Sequence, residues 1–409
     1  MPDRPYYLSA AEAASLLGVA RMTLYAYTSR GHLRSEAVPG RPRERRYHRE
    51  DVERLLERKE TRHDPAKAAS RGLHWGGPVL ESSITLIHDG RFFYRGHDAV
   101  ALAKSATLEE TAMLLWGADG TERERLFAQR CPLPRREWSS MRALTTDPLS
   151  ALQAALPIAA AVDVASYDLS PTAVRLTGAR ILKLATALLV GSDASAPAHQ
   201  ALQAGWTPRR PAVAEILRTT LVLCADHELN ISAFTARCAA SAGASPYHVV
   251  SAAMAAFRGY KHGGAAERVL GILADANTSD AARVAITDRL KRGESVPGFG
   301  HRLYADGDPR AVMLLRLAEK SGNDREWRRI QRVLRVGRQL LQEKPNIDFG
   351  LAAVARAYDL PDSAPPLLFA MGRTVGWIAH AIEEYAAGQL IRPRARYTGP
   401  IPEESITSR

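Results

Sequence analysis

At 409 residues, with 46% hydrophobic, 24% charged and 7% aromatic side chains, the chain is long enough to bury two or three domain cores. Cys131, Cys224 and Cys238 are scattered without a Cys-x-x-Cys pair, which argues against disulfides and zinc and for the reducing cytoplasm. No leader-like start suggests secretion, and the most apolar stretch, 151–165, is broken by Pro157 and Asp163, so it predicts a buried helix and no membrane partner.

The formal net charge of +11 is unevenly spread, with 15 Lys/Arg against 10 Asp/Glu in residues 1–71 alone. That density favours a polyanionic partner for the N-terminal segment. Ser9 followed three places on by Glu12 is a capping pair that predicts a helix over 10–17, stopped by Gly18. A second short helix, about 20–29, ends at Gly31. Gly40-Arg41-Pro42-Arg43-Glu44-Arg45-Arg46-Tyr47 is too irregular for a helix and reads as a basic hairpin or wing. A third helix over 51–59 would turn Val52, Leu55 and Leu56 inward.

Two short helices about a glycine turn, then a basic wing, resemble the MerR-type winged helix-turn-helix, also found in excisionase-like modules. The resemblance rests on Leu8-Ser9-Ala10-Ala11-Glu12, Leu17-Gly18-Val19, Thr23-Leu24-Tyr25, Gly31, Leu33 and Arg46-Tyr47. It implies DNA as partner, with Arg21, Met22, Thr23 and Tyr25 on the helix that enters the major groove. Arg41, Arg43, Arg45 and Arg46 would meet phosphates or the minor groove. The domain is expected over 1–62, with 63–71 as a linker lacking apolar periodicity.

From Gly72 the text changes. Thr107 to Gly117 reads as a capped amphipathic helix, and Ala- and Leu-rich helical segments then dominate to Arg394, so the fold class is mainly α. Residues 200–212 look loosely structured. Three polar segments stand out in order: Lys261-His262-Gly263-Gly264-Ala265; Pro297-Gly298-Phe299-Gly300-His301-Arg302, followed by Asp308-Pro309-Arg310; and Pro345-Asn346-Ile347-Asp348-Phe349. Histidines among glycines and an aspartate among apolar residues are what moving protons around a carbonyl requires. A helix beginning near Ala265 would keep His262 neutral, as a hydrogen-bond donor. Desolvation would raise the basicity of Asp348, and the glycines at 298 and 300 would let backbone wrap a nucleotide.

These segments, with 81–87 and 92–98 and the ending Arg392-Pro393-Arg394-Ala395-Arg396-Tyr397-Thr398-Gly399-Pro400, resemble the citrate synthase family over roughly 72–400. The resemblance implies the citrate synthase fold, with a large helical domain at 72–263 and 359–409 and a small one at 264–358. It implies condensation of acetyl-CoA with oxaloacetate and water to give citrate and CoA, with no tightly bound cofactor and no metal. Propionyl-CoA giving 2-methylcitrate stays open, as does a transcriptional regulator that uses the synthase domain as a metabolite sensor. Asp348 would be the base, His262 the enol(ate) stabiliser and His301 the acid that polarises the ketone. Pro297, Gly298, Phe299, Gly300 and Arg302 would bind CoA, and His227, Arg310, Arg373 and Arg392 the oxaloacetate, Arg392 across a homodimer interface. Departures are Ala266, where many members have Asn, and Gly350-Leu351-Ala352, where Tyr-Ser-Gly is usual. Arg325, Arg328, Arg329, Arg332, Arg335 and Arg338 are expected to form a solvated helix face.

Overall fold

The computed structural model describes residues 7–38, 41–49, 51–53, 55–56, 80–192, 195–395 and 397–400, with the side chains of 41–43 excepted. The expected linker at 63–71 lies outside these. The chain divides into two compact units, Met1–Glu81 with Arg392–Arg409, and Ser82–Ile391.

In the first unit, β1 (Tyr7–Ser9) leads into α1 (Ala10–Leu17) and α2 (Arg21–Ser29), followed by β2 (Ser35–Val38) and β3 (Arg41–His48). Residues 51–53 and 55–56 are helical, where the third helix is expected. The Ser9 hydroxyl accepts the Glu12 N–H while the Glu12 carboxylate accepts the Ser9 N–H, so both orphan donors at the start of α1 are satisfied. Gly18 closes the helix at φ +58°. The antiparallel sheet runs β1-β3-β2, and Leu8, Ala13, Ala14, Leu17, Leu24, Leu33, Tyr47 and Val52 form the core beneath it.

The second unit opens with an antiparallel meander, β4 (Thr85–His88), β5 (Arg91–Tyr94) and β6 (His97–Asp98). Helices follow: α3 (Ala99–Leu102), α4 (Leu108–Trp116), α5 (Arg123–Phe127), α6 (Arg135–Ala143), α7 (Pro148–Val162), α8 (Pro171–Val190) and α9 (Ala198–Trp206). Next come α10 (Val213–Cys224), α11 (Ile231–Ser241), α12 (Pro246–Phe257), α13 (Ala265–Asp275) and α14 (Ser279–Lys291). The unit ends with α15 (Pro309–Glu319), α16 (Asp324–Leu341), α17 (Ile347–Ala357) and α18 (Ala364–Ala387).

Almost every residue of α18 from Ala364 to Ala381 is buried, and the helix packs against α4, α8, α10, α11 and α12. A helix apolar on every side has to run through a core. Helices α13 to α17 pack mainly on one another, α17 lying against α15, α13 and α16.

Two expectations need correction. The segment 200–212 is not loose throughout: α9 takes it up to Trp206, because Ala198, Ala201 and Leu202 share one buried face, and only the Pro-rich stretch after it leaves the helix. The arginine row of α16 is solvated at Arg325, Arg328, Arg335 and Arg338, but Arg332 is half-buried and donates to Asn277 O at 2.6 Å, and Arg329 is buried, pairs with Glu326 at 2.9 Å and also bonds Asn277. Among the described residues no helix is long and apolar enough to cross a membrane.

Candidate active site

Five chain segments carry the predicted residues into one region of the second unit. His262 sits in the turn between α12 and α13. The Gly263 N–H donates to Phe257 O at 2.8 Å, and a Cβ on Gly263 would lie 2.5 Å from that oxygen, so only glycine permits the turn. The His262 ring meets the edges of Phe257 and Phe369. Burial, with Arg373 nearby, pushes its pKa down to about 4, so it is neutral at ordinary pH.

Its Nε2 lies 2.9 Å from the Ser232 hydroxyl, a partner that the sequence did not reveal. Ser232 Oγ also accepts the Trp377 indole N–H (3.1 Å) and lies 2.8 Å from Asn230 Oδ1. A hydroxyl has one proton, and here two acceptors compete for it. When Ser232 donates to Nε2, the neutral ring carries its proton on Nδ1.

His301 lies on the glycine loop. Gly298 (φ +87°) and Gly300 (φ +75°) need glycine's backbone freedom. The loop is pinned to the chain before α17: Asn346 N–H donates to Gly298 O (2.9 Å), Gly300 N–H to Lys344 O (2.9 Å), and the Asn346 amide to Gly300 O (3.0 Å). Phe299 turns inward against Phe349 and is buried, so any ligand contact at this position falls to backbone. Arg302 is exposed. A cavity of ≈ 190 Å³ opens beside the loop, lined by Gly300, His301, Tyr304, Gly307, Asp308 and Lys344 among others. Burial and the Arg310 charge push the His301 pKa down to about 4. Its Nδ1 accepts the Leu303 N–H at 3.2 Å, and its Nε2 faces the Arg310 guanidinium, itself only a donor, at 3.4 Å, so both ring nitrogens meet donors.

Arg310 is buried, and Asp308 holds it in a fork, with Nε at 2.9 Å and one terminal nitrogen at 2.8 Å. Asp308 also accepts the Ile347 N–H at 2.9 Å and so ties the start of α15 to the start of α17. His227 is buried, bonds Tyr304 Oη through Nε2 (2.8 Å) and stands edge-on to His301 with ring centroids 5.2 Å apart. Burial first, then Arg310 and His301, hold it well below the ordinary histidine pKa.

Asp348 is the second residue of α17, whose cap is the Asn346 side chain. Burial pushes its pKa up to about 7, aided by Asp308 and opposed by Arg310, Arg268 and Arg373. Arg373, on α18, is buried. Its Nε donates to Cys224 O (3.0 Å), while one terminal nitrogen is buried without a hydrogen-bond partner. An unmet donor on a buried cation suits an anionic ligand.

The structure thus brings together His227, His262, His301, Arg310, Asp348 and Arg373. Arg392 is not among them; it begins the exposed segment grouped with the first unit. Ser232, Tyr304 and Asp308 are the positioning groups that sequence reasoning missed or left without a role. Asp308 alone had a local signal, its place two residues before an arginine.

In the first unit, Arg21, Met22 and Tyr25 are exposed on α2, Thr23 is half-buried and Leu24 anchors the opposite face. Arg45 donates to Ser35 twice at 2.8 Å. Arg46 pairs with Glu36 at 3.1 Å and covers the Tyr7 ring. The side chains of Arg41 and Arg43 lie outside those described.

Residues 72–394 match the family model "Citrate synthase, C-terminal domain", and residues 7–60 match "Helix-turn-helix domain". The chain is 30% identical over 367 residues to citrate synthase 2 of Bacillus subtilis, covering 83% of this chain and 98% of that one. It is 33% identical over 196 residues to the 2-methylcitrate synthase of Shewanella oneidensis, covering 47% and 52%. The crystal structure of citrate synthase from Thermotoga maritima superposes with a TM-score of 0.69 at 26% identity, covering 80% and 97%. Fold and site together define a mainly helical enzyme class. The chain belongs to the citrate synthase family, and it carries a helix-turn-helix domain ahead of the family's own.

Proposed function

We propose that the protein condenses acetyl-CoA with oxaloacetate and water to give citrate and CoA. The observation that carries this reading is the convergence of two neutral histidines and one aspartate of raised pKa on two buried arginines, one of them with an unmet donor. Arg310 and Arg373, with His227, hold oxaloacetate. Asp348 takes a proton from the methyl carbon of the thioester. His262 steadies the developing enol oxygen through Nδ1–H, the tautomer in which Ser232 donates to Nε2. The enol carbon attacks the ketone, and the new alkoxide takes a proton from the His301 ring. Water then cleaves the thioester and releases CoA.

The coenzyme lies along 297–302, held by backbone and by Arg302. Helices α13 to α17 serve as the small domain (264–358) that closes on the large one (72–263 and 359–409), excluding water. Arg392 completes the oxaloacetate site of the second subunit in a homodimer. The protein needs no tightly bound cofactor or metal and works in the cytoplasm.

Propionyl-CoA, giving 2-methylcitrate, is the alternative substrate, and the name of the Shewanella relative favours keeping it in view. Discriminating one methylene is worth only about 1–3 kcal/mol. Residues 1–62 bind DNA through α2, a reading favoured by the helix-turn-helix match and the basic charge of the segment.

The test is release of free thiol by the purified protein with oxaloacetate and either thioester, with Asp348→Ala as control. Turnover reduced in the variant by about 10³-fold or more supports the base assignment, and the ratio of the two rates names the acyl group. No turnover with either thioester, together with measurable oxaloacetate binding, would favour a DNA-binding sensor instead.

A further inference from the structure

The buried groups Asp226 and His380 have no part in the proton transfers above, yet they stand directly behind the site. Both are 0% exposed, and His380 Nε2 lies 3.3 Å from Asp226 Oδ1. Arg373, Gly376 and His380 follow the spacing i, i+3, i+7, so they line one face of α18. That face meets the residues just before His227 in strict order. Arg373 Nε donates to Cys224 O (3.0 Å), the Gly376 N–H donates to Ala225 O (3.0 Å), and His380 meets Asp226. The three contacts are rungs between a rigid core helix and an irregular segment. A Cβ on Gly376 would lie 2.4 Å from Asp226 Oδ1 and 2.5 Å from Ala225 O, so the close approach depends on glycine. The other Asp226 oxygen accepts the Thr85 hydroxyl at 2.5 Å and the Glu228 N–H at 3.1 Å, tying in β4 and the residue after His227.

We infer that Asp226 and His380 are positioning residues for the keto-acid site. The last rung of the ladder sets the place of His227, one residue on, and the first rung sets Arg373. Both ends of the ladder are therefore substrate contacts, and the Asp226–His380 rung fixes their separation. The polar atoms Asp226 Oδ1, His380 Nδ1 and Nε2 and one Arg373 nitrogen are all buried without a hydrogen bond. Of these atoms the Arg373 nitrogen is the cationic donor, the one that an anionic ligand can satisfy.

This inference rests on the oxaloacetate reading above. The test is steady-state thiol release by the full chain with Asp226→Asn, which keeps shape and removes charge, and with Thr85→Val, which removes one hydroxyl and keeps volume. Thermal melting accompanies each variant. The expected result is a KM for oxaloacetate raised about tenfold or more by Asp226→Asn and about threefold by Thr85→Val, with the KM for the thioester within twofold. Should Asp226→Asn fail to fold, the Thr85→Val result decides. Unchanged KM for oxaloacetate, or an equal impairment for both substrates that follows a lowered melting temperature, overturns the inference and leaves the pair structural. If the unsubstituted protein shows no oxaloacetate-dependent turnover, the parent reading fails first, which is a distinct outcome.

Discussion

Asp348 and His262 have their protonation states set by opposite uses of the same burial. Burial disfavours charge, so it raises the carboxyl to about 7 and lowers the imidazole to about 4. A carboxylate with a pKa near 7 is a stronger base than an ordinary one and is still ionised in useful amount at neutral pH. The expected kcat/KM profile therefore falls on its acid side with an apparent pKa near 7, well above His262 and His301. An acid limb at an ordinary carboxylate pKa would assign the proton transfer to some other group. Ser232 makes a second case. Its single proton goes either to Asn230 or to His262, and only the second choice leaves Nδ1–H free for a thioester oxygen. Ser232→Ala removes that choice, and kcat is expected to drop about 10- to 100-fold with little change in oxaloacetate binding. If kcat stays level in Ser232→Ala, the tautomer is held by something other than Ser232.

Individual elements were legible in the sequence wherever their signal was local. The pairs Ser9–Glu12 and Thr107–Glu110 both form the capping boxes that their spacing predicts, and Gly18 and Gly117 end the two helices in the left-handed region. The three glycine-flanked motifs were legible for the same reason: each is a contiguous run. What stayed hidden was the pairing between distant runs. Nothing in Ser232 announces a bond to His262, and nothing near Lys344 announces that it pins Gly300. Local polarity also misled at α9, where tertiary burial of Ala201 and Leu202 outweighs the nearby prolines. In the wing, Arg45 and Arg46, which read from sequence as phosphate contacts, hold Ser35 and Glu36 and cover Tyr7 in the structure. Arg45→Ala is thus expected to loosen the β2–β3 hairpin and leave the salt dependence of DNA binding nearly unchanged. Arg21→Ala, on the exposed face of α2, should lower the slope of log K against log salt by about 0.9 for each phosphate that Arg21 neutralises. Equal slopes for Arg21→Ala and the unsubstituted protein would mean that Arg21 meets no phosphate.

For the whole molecule, the site imposes a proton balance on stability. His227, His262 and His301 all have folded pKa values depressed below the ordinary 6.5, two of them to about 4. Between roughly pH 6.5 and 4 the unfolded chain therefore holds protons at these positions that the folded chain does not, and their contribution to stability is lost as pH falls through that window. Asp348 acts in the opposite sense. Its folded pKa is raised to about 7 from an ordinary 3.8, so between those values the folded state holds the extra proton. Its contribution fades as pH rises toward 7. At pH 5.5 His262 and His301 together take up roughly two protons on unfolding and Asp348 releases about one, a net uptake of roughly one from these three groups, to which His227 adds in the same sense. Asp348→Asn deletes the release and keeps the uptake. The variant is expected to lose turnover, to take up about one more proton than the unsubstituted protein on unfolding at pH 5.5, and to be the more stable of the two above pH 7. There the native carboxylate is ionised against its burial, a cost of about 1–3 kcal/mol after allowance for partial exposure. Proton uptake measured in weakly buffered solution while each protein is unfolded decides the point. Identical uptake by the two would mean that Asp348 is already ionised at pH 5.5, and the base would then be an ordinary carboxylate.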